Sequence, residues 1–201
     1  MRITKYIHSP LNWLVVLALI VALVAPLATA PTVLAAPPKV NLDQIRNGPA
    51  DNRWEPAEWV NGNAGGSNSH YVEGYSIAYR TVMTNMPIGE TVWLTLAYDI
   101  KHSDRHAIDY LTSYNRINDP PHWDVFGHNP ETIDPLIGTG LSGSPNTYPI
   151  PEPSSTGSPV SGMPTDSFNA LPDVERKMSL WGGTITDIAY VSQGDLTASI
   201  S

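Results

Sequence analysis

From Glu90 to Lys101 hydrophobic and polar residues alternate without a break. Val92, Leu94, Leu96, Tyr98 and Ile100 take one side, and Thr91, Trp93, Thr95, Ala97 and Asp99 the other. A period of two is that of a pleated strand with one buried face. Ser69–Met83 is a second such run, with Tyr71, Glu73, Tyr75, Ile77 and Tyr79 on one side. Gly74 inside it marks a bulge or a close backbone approach. Asn85–Gly89 reads as a turn between these two runs. Val174–Trp181, Thr184–Val191 and Leu196–Ile200 are further candidate strands, the last two joined by a hairpin turn at Ser192–Asp195. A short strand is expected near Val40–Ile45. Arg105–Arg116 carries a helical stripe through Ala107, Leu111 and Tyr114, and reads as a short helix or a turn crossing between sheets.

These elements predict an all-β domain, an antiparallel β-sandwich that is Ig-like in the broad sense. Its core candidates are Tyr71, Tyr75, Tyr79, Leu94, Leu96, Tyr98, Tyr110, Leu180 and Trp181. Residues 117–172 interrupt it as a long Pro/Gly/Ser-rich loop, with seven prolines between Pro145 and Pro172. Such a composition predicts a mobile surface segment. Residues 36–68 are polar and rich in turns, and read as a leader into the domain at 69–201. The chain stops at Ser201 inside strand-like sequence, which predicts that C-terminal strands are missing and a sheet edge left open.

Residues 1–35 have the order of a secretory signal: Arg2 and Lys5, an apolar run from Leu11 to Leu27, then small residues up to Ala35. The expected location is therefore outside the cytoplasm, secreted or at the cell surface, with no membrane attachment after cleavage. The full chain has 201 residues and a formal net charge of −8. Without the signal, 9 basic residues face 19 acidic ones, a net charge of −10. That balance argues against nucleic acid, whose binding needs a basic surface. The absence of cysteine excludes disulfides, thiol nucleophiles and thiolate metal sites. Packing, or a metal held by other ligands, must then stabilise the fold.

Several residue groups could carry chemistry. Asp99, His102, Asp104, His106 and Asp109 form an acidic and imidazole cluster. On a helix, His102 and His106 would share a face with Asp109 beyond them, a spacing open to zinc and to a metal-dependent hydrolase. A strand-to-loop corner with three aspartates would instead suit calcium, but the leading expectation is a solvated, hydrogen-bonded loop and no cofactor, with calcium as the alternative. Trp54, Trp59 and Trp123 are candidates for a sugar-stacking platform, against a plug for one end of the core. His122, Asp124 and His128 place imidazoles and a carboxylate together in the long loop, where acid–base chemistry is conceivable, but no nucleophile motif accompanies them. No phosphate-binding loop is present. Glu73 and Arg80 are read as parts of a buried charged network.

His70-Tyr71-Val72-Glu73-Gly74-Tyr75-Ser76, Ala78-Tyr79-Arg80, His106 to Asn115 (HAIDYLTSYN) and Trp181-Gly182-Gly183 together resemble an uncharacterised family of bacterial secreted and cell-surface domains. Its pattern is YxEGxSxxYR, then HAxDYLTSYN, then WGG, and such domains often sit at the N-terminus of long extracellular proteins. Tyr71, Glu73, Gly74, Arg80, Asp109, Tyr110, Trp181, Gly182 and Gly183 carry the likeness. It implies an extracellular β-sandwich and brings no catalytic residues. The expected role is a non-catalytic structural or adhesive module meeting other surface proteins or glycans. The alternatives are a carbohydrate-binding module, a metal-dependent hydrolase, and a filament subunit that assembles by strand addition.

Overall fold

A computed structural model describes residues 36–72, 74, 76–103, 105–116, 121–153, 165–194 and 197–201. The chain divides into Met1–Ala36 and Pro37–Ser201, and every element below belongs to the second unit. Residues 1–35, on which the expected signal falls, and Glu73, Tyr75 and Asp104 lie outside the described residues. Among those described, no helix is long and apolar enough to cross a membrane.

The fold is all-β, built of small antiparallel sheets with a few short helices. The first sheet has the order β2-β1-β3, from Glu58–Val60, Lys39–Arg46 and Tyr79–Thr84. In the second, β10 (Thr197–Ile200) lies between β4 (Leu96–Asp99) and β9 (Tyr190–Gln193). Lys101–His102 (β5) and Arg105–His106 (β6) form a two-residue hairpin ladder, and Asn146–Pro149 (β7) pairs with Lys177–Leu180 (β8). Helix α1 spans Pro121–Phe126 and α2 spans Thr165–Asn169, with a 3₁₀ turn at Asp173–Glu175.

A hairpin forms near the C-terminus as β9 and β10, but its first strand is Tyr190–Gln193, not the expected Thr184–Val191, and Ser192 and Gln193 belong to it rather than to the turn. β10 is paired on both sides, so it offers no open edge for strand addition. The run from Glu90 to Lys101 keeps alternating burial only from Leu94 onward; Val92 and Trp93 are exposed and Glu90–Thr95 pair with no strand. Likewise, among the described residues of the Tyr-rich run, the strand is confined to Tyr79–Thr84, which pairs with β1. The helical reading of Arg105–Arg116 is overturned by β6 and the irregular chain after it. Of the core candidates, Tyr71, Leu96 and Tyr110 pack against the buried clusters, whereas Tyr79 is 41% exposed.

Two segments have larger roles than their composition predicts. The polar leader supplies β1, the central strand of its sheet, with Ile45 and Ala57 fully buried. The loop 117–172 supplies α1, β7 and α2, and two of the buried apolar side chains, Ile150 and Phe168. Composition misjudged it because its docking partners are distant in sequence. One core gathers Ile150, Phe168, Ile188 and Ile200; a second gathers Ile45, Ala57 and Ala78 under Trp59, Tyr71, Ile77, Tyr114 and Ile133.

The first sheet is extended by the chain after α1. Ala57 donates its N–H to the Thr132 carbonyl at 3.1 Å, and the Trp59 indole donates to Asp134 O at 2.7 Å. Arg80 completes the seam. Opposite it in the β1–β3 register stands Asp43, which accepts from Arg80 Nε at 2.9 Å, while Nη1 reaches the carbonyls of Pro135 and Ile137. Its guanidinium also covers the Trp59 ring at 4.8 Å. Arg80 thus takes Asp43 as its carboxylate partner, while Glu73, with which it was expected to share a network, lies outside the described residues. Arg80→Ala is expected to cost about 2–3 kcal/mol in a denaturant melt, because it strands a carboxylate and two carbonyls together. Arg80→Lys should recover less than half, since an ammonium cannot stack and fork at once.

Burial and the nearby Glu131 carboxylate raise the Tyr71 phenol well above its ordinary value, and burial and Tyr98 do the same to Tyr190. Raised phenols favour the folded state below the unfolded value of about 10, and that stability is lost as pH climbs beyond it. Melting temperature should accordingly fall as pH rises above about 10, ahead of phenolate absorbance from these two residues.

Candidate metal centre

Four side chains from three segments meet at one point. They are His70, after β2; His122, on α1; and His128 and Glu131, in the turn that follows α1. One ligand atom from each lies within 4.8 Å of all the others. This is the only such grouping of three or more among the described residues.

Local sequence explains each placement. Pro121 opens α1 at the position where its absent N–H costs nothing, and Gly127 closes it with φ of 74°. His122 and Phe126 lie one turn apart and share the inward face, with His122 only 2% exposed. Phe126 then lays its ring against His70 and His122, at centroid distances of 4.7 and 4.9 Å. Gly48, at φ of 84°, makes the tight turn after β1. Any Cβ there would fall 2.5 Å from Asn52 O. The turn aims the Gly48 carbonyl at His70 Nδ1, 2.7 Å away. Asn47 clasps the same histidine through its backbone: Nδ2 donates to His70 O at 2.8 Å and Oδ1 accepts from His70 N at 2.9 Å.

The hydrogen bonds fix the tautomers. A carbonyl only accepts, so Nδ1 of His70 carries its proton toward Gly48 O, and Nδ1 of His122 toward His128 O at 3.0 Å. The Nε2 lone pairs of both rings are thereby turned to the common point. His128 donates from Nδ1 to Asn129 O at 2.8 Å, and that same nitrogen is 3.4 Å from Glu131 Oε1. Glu131, only 6% exposed, accepts from Asn47 Nδ2 on Oε2 at 3.0 Å. Nε2 of all three imidazoles and Oε1 of Glu131 are sealed from water and have no hydrogen-bond partner. Separations of 3.6 Å from His70 Nε2 and 3.9 Å from His122 Nε2 to the carboxylate are too long for hydrogen bonds. Beside the cluster lies a cavity of about 30 Å³, bordered by Tyr71, Ser76 and Arg116, with room for a water molecule but not for an organic substrate.

The residues singled out from sequence are placed elsewhere. Asp99 and His102 sit 3.5 Å apart on the exposed surface, Asp109 is half-buried, and His106 belongs to β6. The zinc spacing of His102, His106 and Asp109 presumed a helix, and the chain makes the β5–β6 hairpin instead. Asp104, the middle member of that corner, lies outside the described residues, and among those described the corner forms no group of three ligands. Trp54 and Trp59 are half-buried, with one face of Trp59 taken by Arg80; Trp123 is 52% exposed on α1. Of the family-like residues, Trp181 donates its indole N–H to Gly143 O and packs edge-on against Tyr114, and Gly182 turns the chain beyond it at φ of 77°.

His122 and His128 were noticed in the sequence as acid–base candidates, and His70 only as part of the family-like motif. Glu131 was missed. The signal available was the spacing His122-x5-His128-x2-Glu131 beside a helix-initiating proline; nothing in the sequence joined it to His70. No protein-family model, curated protein or solved structure matches the chain.

Gly48→Ala should lower stability by about 2 kcal/mol or more, through a strained φ and a clash with Asn52 O. In the proton spectrum the same change should disturb the hydrogen-bonded His70 Nδ1–H while leaving the exposed His102 signals in place.

Proposed function

We propose that this protein is a non-catalytic structural module of an exported protein, in which the His70–His122–His128–Glu131 cluster ties the chain together. The observation that carries this reading is the sealing of the cluster: the atoms able to do chemistry there are closed to water, so no substrate reaches them. A reaction centre keeps an open position, and a structural one is closed. The tie joins the turn after β1, the segment before β3, and α1 with its following turn, three regions far apart in sequence. Export rests on the signal-like order of residues 1–35. In that setting the module meets other surface proteins or glycans, and a fold free of cysteine needs some other cross-link.

The small sheets also support a sandwich. One core draws Leu96, Tyr190 and Ile200 from the β4-β10-β9 sheet, and Tyr148 and Met178 from β7 and β8. A hydrophobic core shared by two sheets is what such a fold requires.

His122→Ala should lower the stability of the purified protein by about 3 kcal/mol, since it opens a cavity and leaves a buried carboxylate short of partners. For a chain of this size that is roughly 6–12 °C in melting temperature. The exposed His102→Ala serves as control and should melt with the parent. Equal melting of both variants and parent would sink the structural-tie reading.

A further inference from the structure

We infer that the four-residue cluster is a closed, tetrahedral binding site for a divalent transition metal of the zinc class, with His70, His122, His128 and Glu131 as its ligands. The inference rests on the structural reading above and names what makes the tie. Three observations carry it. First, the imidazoles of His70 and His122 are held by backbone carbonyls at Nδ1, so their Nε2 lone pairs point inward. That outer hydrogen bond is the arrangement that orients metal-bound histidine. Glu131 has the same support, from Asn47 on its other oxygen.

Second, the inward atoms are sealed from water and lack any hydrogen-bond partner. Buried polar atoms without partners are rare, and four around one point call for a shared positive centre. Third, the spacing suits an ion better than hydrogen bonds. Four ligands about 2.05 Å from zinc lie roughly 3.3 Å from one another. The carboxylate stands 3.4, 3.6 and 3.9 Å from the nearest nitrogens of His128, His70 and His122. The four ligand atoms all lie within 4.8 Å of one another, so the widest separation closes by at most about 1.5 Å to complete the tetrahedron. His128 can offer the point Nε2, which has no partner, or Nδ1 once it is released from Asn129 O.

The donor set also selects the ion. Calcium and magnesium take oxygen shells of six or more ligands. Three imidazoles and one carboxylate suit zinc, with cobalt, nickel and copper as competitors. Four protein ligands leave no site for an activated water, which matches a structural centre.

The test uses the purified protein and two independent readouts. Elemental analysis after equilibration with zinc and gel filtration is expected to give one ion per chain, unaffected by excess calcium. Cobalt exchanged into the site should show the intense visible bands of a tetrahedral nitrogen–oxygen shell. His102→Ala should keep both signals, whereas Glu131→Gln and His122→Ala lose them. Removal of the ion by a strong chelator should lower the melting temperature of the parent by roughly 10 °C or more.

Failure to take up any of these four metals stoichiometrically would overturn the metal inference, even with well-folded parent protein. The structural reading would survive that result if His122→Ala still melted early. A six-coordinate cobalt spectrum, or loss of the ion in His102→Ala, would overturn it as well, since the exposed hairpin would then hold the metal. A bound ion whose removal left melting unchanged would keep the site and defeat the structural reading instead. These readouts on the parent stand even if the cluster variants fail to fold.

Discussion

A carboxylate almost fully buried among three imidazoles is the constraint on which the first half of this fold depends. Glu131 cannot lie in an apolar interior as a bare charge, because losing water without compensation is prohibitive. Its surroundings answer that cost one group at a time. Asn47 donates to one oxygen. Thr132, the next residue, is bonded through both N–H and carbonyl to the chain at Glu55 and Ala57. Ile133 packs into the core beside Ile45. Each of these groups also performs a second task, so the carboxylate, the sheet edge and the hydrophobic cluster stand or fall together.

The apolar interior alone is thin. Among the described residues seven hydrophobic side chains are buried, and six polar or charged ones are buried with them. The hydrophobic residues are split between two clusters, neither large. With no cysteine in the chain, disulfides cannot make up for a small core. Polar ties do the corresponding work: Arg80 across β1, β3 and the segment 135–137, Arg116 between Glu175 and Ser76, and the histidine–glutamate cluster.

Much of the architecture was legible in local pattern. A strand near Val40–Ile45 is in place as β1, and the C-terminal hairpin forms, though its first strand is Tyr190–Gln193 rather than Thr184–Val191. What failed were readings that required knowledge of docking. Residues 90–95 alternate as well as 96–99, yet only the latter find a neighbour, β10. Period two states that a segment can pair, not that a partner arrives. The stretch 117–172 failed in the opposite direction. Its prolines, glycines and serines suggested a solvated loop, yet His122 and Phe168 are among the most buried residues. Proline at a helix start and glycine at its end are structural punctuation, and composition alone counts them as disorder.

The same distinction separates the two clusters of potential ligands. Residues 99–109 concentrate acids and imidazoles in a short stretch, which makes them conspicuous in sequence and keeps them at the surface. Asp99 and His102 are hydrated there, and hydrated charges have little need of one another. The other cluster is dilute in sequence and was therefore inconspicuous, but it is concentrated in space and dry. Burial makes its four members interdependent, because each must supply what water no longer does. Its dispersion is also what gives it mechanical value. An ion shared by His70 and Glu131 closes a loop of roughly 60 residues, and in chain-entropy terms a link of that length is worth about 4 kcal/mol. A link within residues 99–109 would close a loop too short to restrain the unfolded chain to that degree. The buried set is the one that can act as a cross-link, and the fold has placed nitrogen donors, rather than thiols, where that cross-link belongs.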